Sequence, residues 1–201
     1  MPSTEMVKFD KSNFRMAATE IQRSIPSAMS YLRMEKGTGD WVYGAAQDPL
    51  PKNTKFAVNL QSFMKGVIAW ADTTNGSPAS KLEEVMVPVT APPVDPGPAP
   101  SGSRGWDKQL GFSGKVLGGK LDGLDLQFKG NSDGALRGVS ALMTACAEGM
   151  DAHSGCMPVI TLSSTSYKHA SYGKIFKPEF AIDHWEKEPG GPPAKKKIAK
   201  K

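Results

Sequence analysis

The residues best equipped for chemistry in this chain are rings and ammonium groups that share short segments. Trp41 and Tyr43 stand two apart in DWVYGA, Lys65 precedes Trp70 in MKGVIAW, and Trp106, Phe112 and Lys115 belong to WDKQLGFSGKVL. The densest group is Tyr167, Lys168, His169, Tyr172, Lys174 and Phe176 in SYKHASYGKIF. Unpaired nucleic acid displays flat base faces and a phosphate at every nucleotide. A groove of aromatic platforms and lysines suits it, with stacking contributing about 1–3 kcal/mol per base. Aromatic residues on strands also build cores, and Trp70, Phe56 and Phe180 fit that use as well. In SYKHASYGK polar neighbours surround each ring, which favours a solvated loop, and Gly173 permits a tight turn.

Other chemistries find less support. Gly114 to Lys120 matches the spacing GxxxxGK, but a phosphate loop needs Ser or Thr next and then a helix. Here Leu121 follows, and LDGLDLQF reads as turn and strand. Cys146, His153, Cys156 and His169 carry zinc-binding atoms, yet C-x6-H-x2-C fits no standard structural site. Cys146 falls on an apolar helix face, where a thiol is a small hydrophobe. No GxSxG elbow occurs, and Glu83–Glu84 and Asp122/Asp125 read as solvated charges. No catalytic residue, metal or cofactor is therefore expected, and the chain does not read as an enzyme.

Composition narrows the setting. With 201 residues, one domain with appendages is the natural reading, and 21 Gly plus 16 Pro assign part of the chain to linkers. No apolar stretch is long enough to span a membrane, and MPSTEMVKFDKSNF lacks the apolar segment of a secretory signal. Two cysteines are too few for a disulfide framework, so a reducing cytoplasm is the expected compartment. The formal charge of +5 is unevenly spread: residues 186–201 hold six lysines against two glutamates, which leaves the rest at a net +1. Any basic binding surface on the body must then be local. Lys195, Lys196, Lys197, Lys200 and Lys201 are candidates for non-specific phosphate contacts from a disordered tail.

The elements that must position these groups follow from patterning. Residues 1–27 form a polar N-terminal arm, and 28–185 read as the folded domain. Phe56, Val58 and Leu60 alternate with polar or small neighbours as a half-buried strand, and GVIAW is another strand or its continuation past a bulge at Gly66. Asn75–Gly76 marks a turn. A Pro/Gly-rich stretch over 88–105 is expected to be a long solvated loop without packed structure. Strands follow at 106–117 and 124–128. Asn131, Ser132 and Asp133 then offer helix caps, and Leu136, Val139, Leu142, Met143, Cys146 and Met150 keep the spacing of an amphipathic helix of about four turns. PVITLS and KIFKPEFAIDHW supply the last two strands, with Pro178 indicating a bulge or an edge. One helix between the third and fourth of five β elements predicts a mainly β domain, an OB-fold (a five-stranded Greek-key barrel).

The order FAVNLQSFMKGVIAW, then VMVPV, then SYKHASYGKIFKPEFAIDHW resembles small bacteriophage and prophage proteins regarded as single-stranded-DNA-binding proteins with an OB-fold. The resemblance spans roughly 38–185 and rests most on the closing pattern Y-K-H-x-x-Y-G-K-I-x-x-P-x-F-x-I-x-x-W. It implies binding of displaced single strands during phage DNA replication or recombination in the bacterial cytoplasm, without cofactor or catalytic step. Replication or recombination proteins are the further partners it implies. Tyr167, Lys168, Tyr172 and Lys174 match the closing pattern as DNA contacts. The lysine tail departs from the acidic tail common among such proteins. A protein-interaction module of a phage replication complex, on the same barrel but without DNA affinity, is the rival expectation.

Overall fold

Alternating and β-branched residues decide most of the folded part, and one amphipathic helix packs across it. The computed structural model describes residues 29–73, 79–171 and 173–187. The arm over 1–27, the Asn75–Gly76 turn, Tyr172 and the tail lysines 195, 196, 197, 200 and 201 lie outside the described residues. Ten strands and one long helix occupy the rest: β1 Ser30–Met34, β2 Trp41–Tyr43, β3 Asp48–Pro49, β4 Lys55–Val58, β5 Met64–Ala71, β6 Lys81–Pro88, β7 Ser103–Leu117, β8 Asp125–Gly130, α1 Asp133–Met150, β9 Cys156–His169 and β10 Gly173–Lys187.

The strands form one mixed sheet in the order β10-β9-β4-β7-β8-β1-β2-β3. The long β7 carries β4 along its second half and β5 along its first, and β6 pairs with β5 alone. All neighbours are antiparallel except β1 and β8, which run parallel from Ser30↔Leu126 to Leu32↔Phe128. The sheet is open: no pairing among the described residues closes it into a barrel, and β1 occupies the outer edge of β8. Five β elements become ten strands for local reasons. A 3-10 turn at Leu60–Ser62, capped by the Asn59 side chain accepting from the Gln61 N–H at 2.9 Å, separates β4 from β5. Residues 30–49 add a meander of three short strands.

Burial follows position in the sheet. β4 lies between β7 and β9, so Phe56, Ala57 and Val58 are all buried instead of alternating. Phe112 on β7 is the centre of the core, with the rings of Phe56, Phe63, Phe128 and Phe180 at 5.1–6.2 Å. Full burial of side chains of this size contributes about 1.5–3 kcal/mol each. Ser132 caps α1 by accepting from the Ala135 N–H, and the face bearing Ala135, Val139, Leu142 and Cys146 closes over the core. Small residues let the helix approach β10: a Cβ on Gly138 would lie 2.9 Å from the Pro178 carbonyl oxygen. No helix of the described residues is long and apolar enough to cross a membrane.

Two expectations need correction here. Most of the polar segment SSTSYKH, expected as loop, is paired strand: β9 continues to His169, which pairs with Gly173 at the start of β10. Serine, threonine and tyrosine are good strand residues when a complementary partner lies alongside, and IFKPEF supplies it. The strand β10 itself runs to Lys187. The second correction concerns the 88–105 connector, which is anchored at several points. Its last residues, from Ser103, are already β7, and Asp72 donates its N–H to the Gly102 carbonyl at 2.8 Å.

Candidate nucleic-acid interface

The sequence-derived candidates separate into four environments. Two belong to the core. Phe112 is fully buried, and Trp41 is enclosed by Phe128 and Phe180 with its Nε1 donating to the Ser163 carbonyl at 3.2 Å. Neither ring has a face for a base, so both leave the site. β2 pairs with β1 so that Trp41 and Tyr43 lie opposite buried Met34 and Leu32 on one face; Trp41 is buried there, and Tyr43 is part-buried against the core.

Three residues hold the scaffold together. Lys65 Nζ donates to the Val89 carbonyl at 2.9 Å, fastening the start of the connector. Trp106 Nε1 donates to the Gly97 carbonyl at 3.1 Å and pins its middle. Lys115 spends its charge on both carboxylate oxygens of Asp125, each at 2.7 Å. All three side chains have partners already.

The β9–β10 hairpin keeps Tyr167, Lys168 and Lys174 exposed, whereas Phe176 is part-buried against the core. Beyond β4, whose pairing with β9 ends at Thr161, the two strands continue as a ribbon. Side chains directly opposite share a face of such a ribbon. Lys168 faces Lys174, Ser166 faces Phe176, and Ser164 faces Pro178, all on the side that further down carries buried Leu162 and Phe180. Tyr167 and Ile175 occupy the reverse side, where Tyr167 is 45% exposed and meets the His169 ring edge-on at 6.4 Å. The Ser171 N–H donates to His169 Nδ1 at 3.1 Å, steadying the turn. Lys174 Nζ rests 4.9 Å from the Phe176 ring centroid, a cation–π contact. Phe176 is itself held in place, its N–H donating to the Lys36 carbonyl at 2.9 Å.

Trp70 belongs to a cleft of about 880 Å³ bounded by β1, β8, the start of α1 and the Phe176–Pro178 stretch of β10. Its Nε1 is buried and has no hydrogen-bond partner among the described residues; the same is true of Gln109 Oε1, also in the cleft wall. Glu84 binds Lys129 at 2.7 Å and Lys81 at 3.5 Å along one flank. Lys129 Nζ also stands 6.0 Å from the ring of Tyr31, which is 57% exposed. Sequence reasoning passed over Tyr31, Lys36, Gln109 and Lys129. Weak alternation in AMSYLRM was the only local signal for the first, and the others gather solely through sheet pairing.

The remaining motifs stay structural. Gly114–Leu117 ends β7, and a 3-10 turn at Gly119–Leu121 stands where a phosphate loop would need a long helix. Among the described residues no three His, Cys, Asp or Glu side chains gather as a metal-binding set. His153 stacks on Trp185 with centroids 4.9 Å apart, and burial pushes the Cys146 thiol up to about 11. No family model matches this chain, and neither does any of the curated proteins or solved structures compared with it.

Proposed function

We propose that the chain binds single-stranded DNA without sequence preference, as the phage-type proteins resembled by its closing motif do, with no catalytic step. The observation that carries the reading is the Lys168–Lys174 pair, set directly opposite on one face of the ribbon beside Phe176. Like charges facing each other across two strands destabilise the pairing, and a polyanion relieves that repulsion. Phe176 on that face and, from sequence, Tyr172 offer stacking partners, while Tyr167 presents its ring on the reverse side of the ribbon. The order β10-β9-β4-β7-β8, with α1 between β8 and β9, supports the OB-type reading by connectivity, with β4 and β5 acting as one bent first strand. Tail lysines would add a salt-sensitive attraction, and replication or recombination proteins would be the further partners.

Anisotropy of labelled oligo-dT and of a duplex, at two salt concentrations, tests this. The single strand should bind more tightly and weaken steeply with salt. Replacing Lys168 and Lys174 by Ala should remove two phosphate contacts and lower the log–log salt slope by about 1.4. Absence of oligo-dT binding at low salt removes the reading. The rival, a protein-interaction module, draws on the nearly neutral body and on lysines committed to carboxylates, such as Lys55 to Asp183 and Lys115 to Asp125.

A further inference from the structure

The turn between β1 and β2 is seated on the same face of the ribbon that carries Lys168 and Lys174. Two hydrogen bonds fasten it there. Phe176 donates its N–H to the Lys36 carbonyl at 2.9 Å, and Ser164 Oγ donates to the Gly39 carbonyl at 2.8 Å. Gly39 has a φ of +80° and approaches so closely that a Cβ would stand 2.5 Å from Phe176 Cδ1 and 2.6 Å from Ser164 Oγ. Glycine alone combines that backbone with that approach at no steric cost. Phe176 and Lys174 are two residues apart, about 7 Å along an extended strand. The turn therefore meets the ribbon one step below its pair of lysines.

Charge gives this seat a use. Lys36 is exposed, and its ammonium has no carboxylate or hydrogen-bond partner among the described residues; the same holds for Lys168. Lysines elsewhere are spent, Lys55 on Asp183, Lys115 on Asp125 and Lys129 on Glu84. Of the acids flanking the turn, Glu35 is bound to Arg33 at 2.6 Å, which leaves Asp40 against Lys36, Lys168 and Lys174. Gly37 and Thr38 are exposed too, and their N–H groups make no hydrogen bond among the described residues. We infer that the β1–β2 turn completes the DNA-binding surface. A strand crossing the ribbon face at Lys168 and Lys174 continues over the turn, where the Lys36 ammonium and the Gly37 and Thr38 N–H groups hold a further phosphate. Gly39 is the positioning residue, since its missing side chain lets the turn rest on Phe176. This assignment rests on the single-strand-binding reading and adds to it a contact from the far end of the chain.

The test is the salt dependence of oligo-dT binding, read by anisotropy, in four single variants. Lys36→Ala should lower the log–log salt slope by about 0.7, the share of one phosphate. The advantage of wild type over this variant is then about 2.6-fold larger at 50 mM salt than at 200 mM. Lys36→Arg keeps the charge and should keep the slope. Lys120, exposed in the 3-10 turn at Gly119–Leu121, controls for the loss of any surface lysine, and Lys120→Ala should match wild type. Gly39→Ala retains every lysine but unseats the turn. It should lower the slope as much as Lys36→Ala does, and combining the two should lower it no further. If wild-type protein binds oligo-dT and Lys36→Ala keeps the full slope, the turn is no part of the surface and the hairpin reading stands alone. Equal drops in Lys36→Ala and Lys120→Ala also overturn the assignment, because general loss of charge would explain both. A full slope in Gly39→Ala, in protein still folded at the assay temperature, overturns the positioning role. If wild-type protein binds no oligo-dT at low salt, the functional reading falls and the assignment with it.

Discussion

Trp185 lies against Gly149 so closely that a Cβ on the glycine would stand 2.4 Å from the indole Cζ2. The contact couples the end of α1 to the last third of β10, and the same indole stacks on His153. Helix and strand thus meet through a missing side chain.

Gly149→Ala should therefore destabilise the protein, although alanine is the better helix former by about 1 kcal/mol. Overpacking typically costs about 1–3 kcal/mol, enough to outweigh that gain. Thermal unfolding should begin a few degrees lower. An unchanged or raised midpoint would mean that the indole moves aside freely.

Lys168→Glu should separate stability from binding. It replaces a repulsive cross-strand pair with an attractive one facing Lys174, a change worth about 0.2–1 kcal/mol in favour of the fold. The same substitution adds negative charge where a phosphate is proposed to sit. Urea titration should show a slightly higher midpoint and anisotropy a large loss of oligo-dT affinity. A lower midpoint would contradict the register on which the hairpin argument depends.

Gln109→Leu should raise the stability of the free protein. An orphaned buried acceptor costs about 1–3 kcal/mol, and leucine fills similar space without it. Chemical unfolding in the absence of nucleic acid measures the difference. A clear fall in stability would show that Gln109 Oε1 has a partner, such as a fixed water.

The two thiols should behave differently. Cys146 is buried on α1 and its thiol is held at about 11 against an ordinary 9.0, whereas Cys156 at the start of β9 is part-exposed. A chromogenic disulfide reagent at pH 8 should label Cys156 quickly and Cys146 only on unfolding. Because the native thiol keeps its proton while the unfolded one releases it, stability should decline as pH rises from 9.0 towards 11. Cys146→Ala should flatten that part of the profile. Rapid labelling of both thiols in folded protein would refute the assignment.

Local chemistry made some elements readable in advance. Ser132 and the apolar spacing after it define α1, and Phe56 to Val58 mark a strand from their own pattern. What escaped is non-local. Trp41 and Tyr43 looked alike two residues apart and share one face of β2, but Phe128 and Phe180 enclose only Trp41, while Tyr43 stays at the core's edge. Phe112 lies in a glycine-rich, polar-looking run and becomes the central ring because four other rings, Phe56, Phe63, Phe128 and Phe180, converge on it. The SYKHASYG segment carries loop-like residues whose strand character depends on the partner that follows. Trp70 and Gln109 share no sequence signal at all; only the pairing of β5 with β7 gives them a common cavity.

The parallel ladder between β1 and β8 has a bearing on biosynthesis. During translation Ser30 to Leu32 leave the ribosome long before Leu126 to Phe128, so the first strand must wait for its neighbour. Contacts so distant along the chain slow folding, and an unpaired nascent edge invites association with other chains. Early expression at lower temperature, or a holdase that shelters residues 30–43, should thus favour recovery of native protein more than any improvement to the rings of the core.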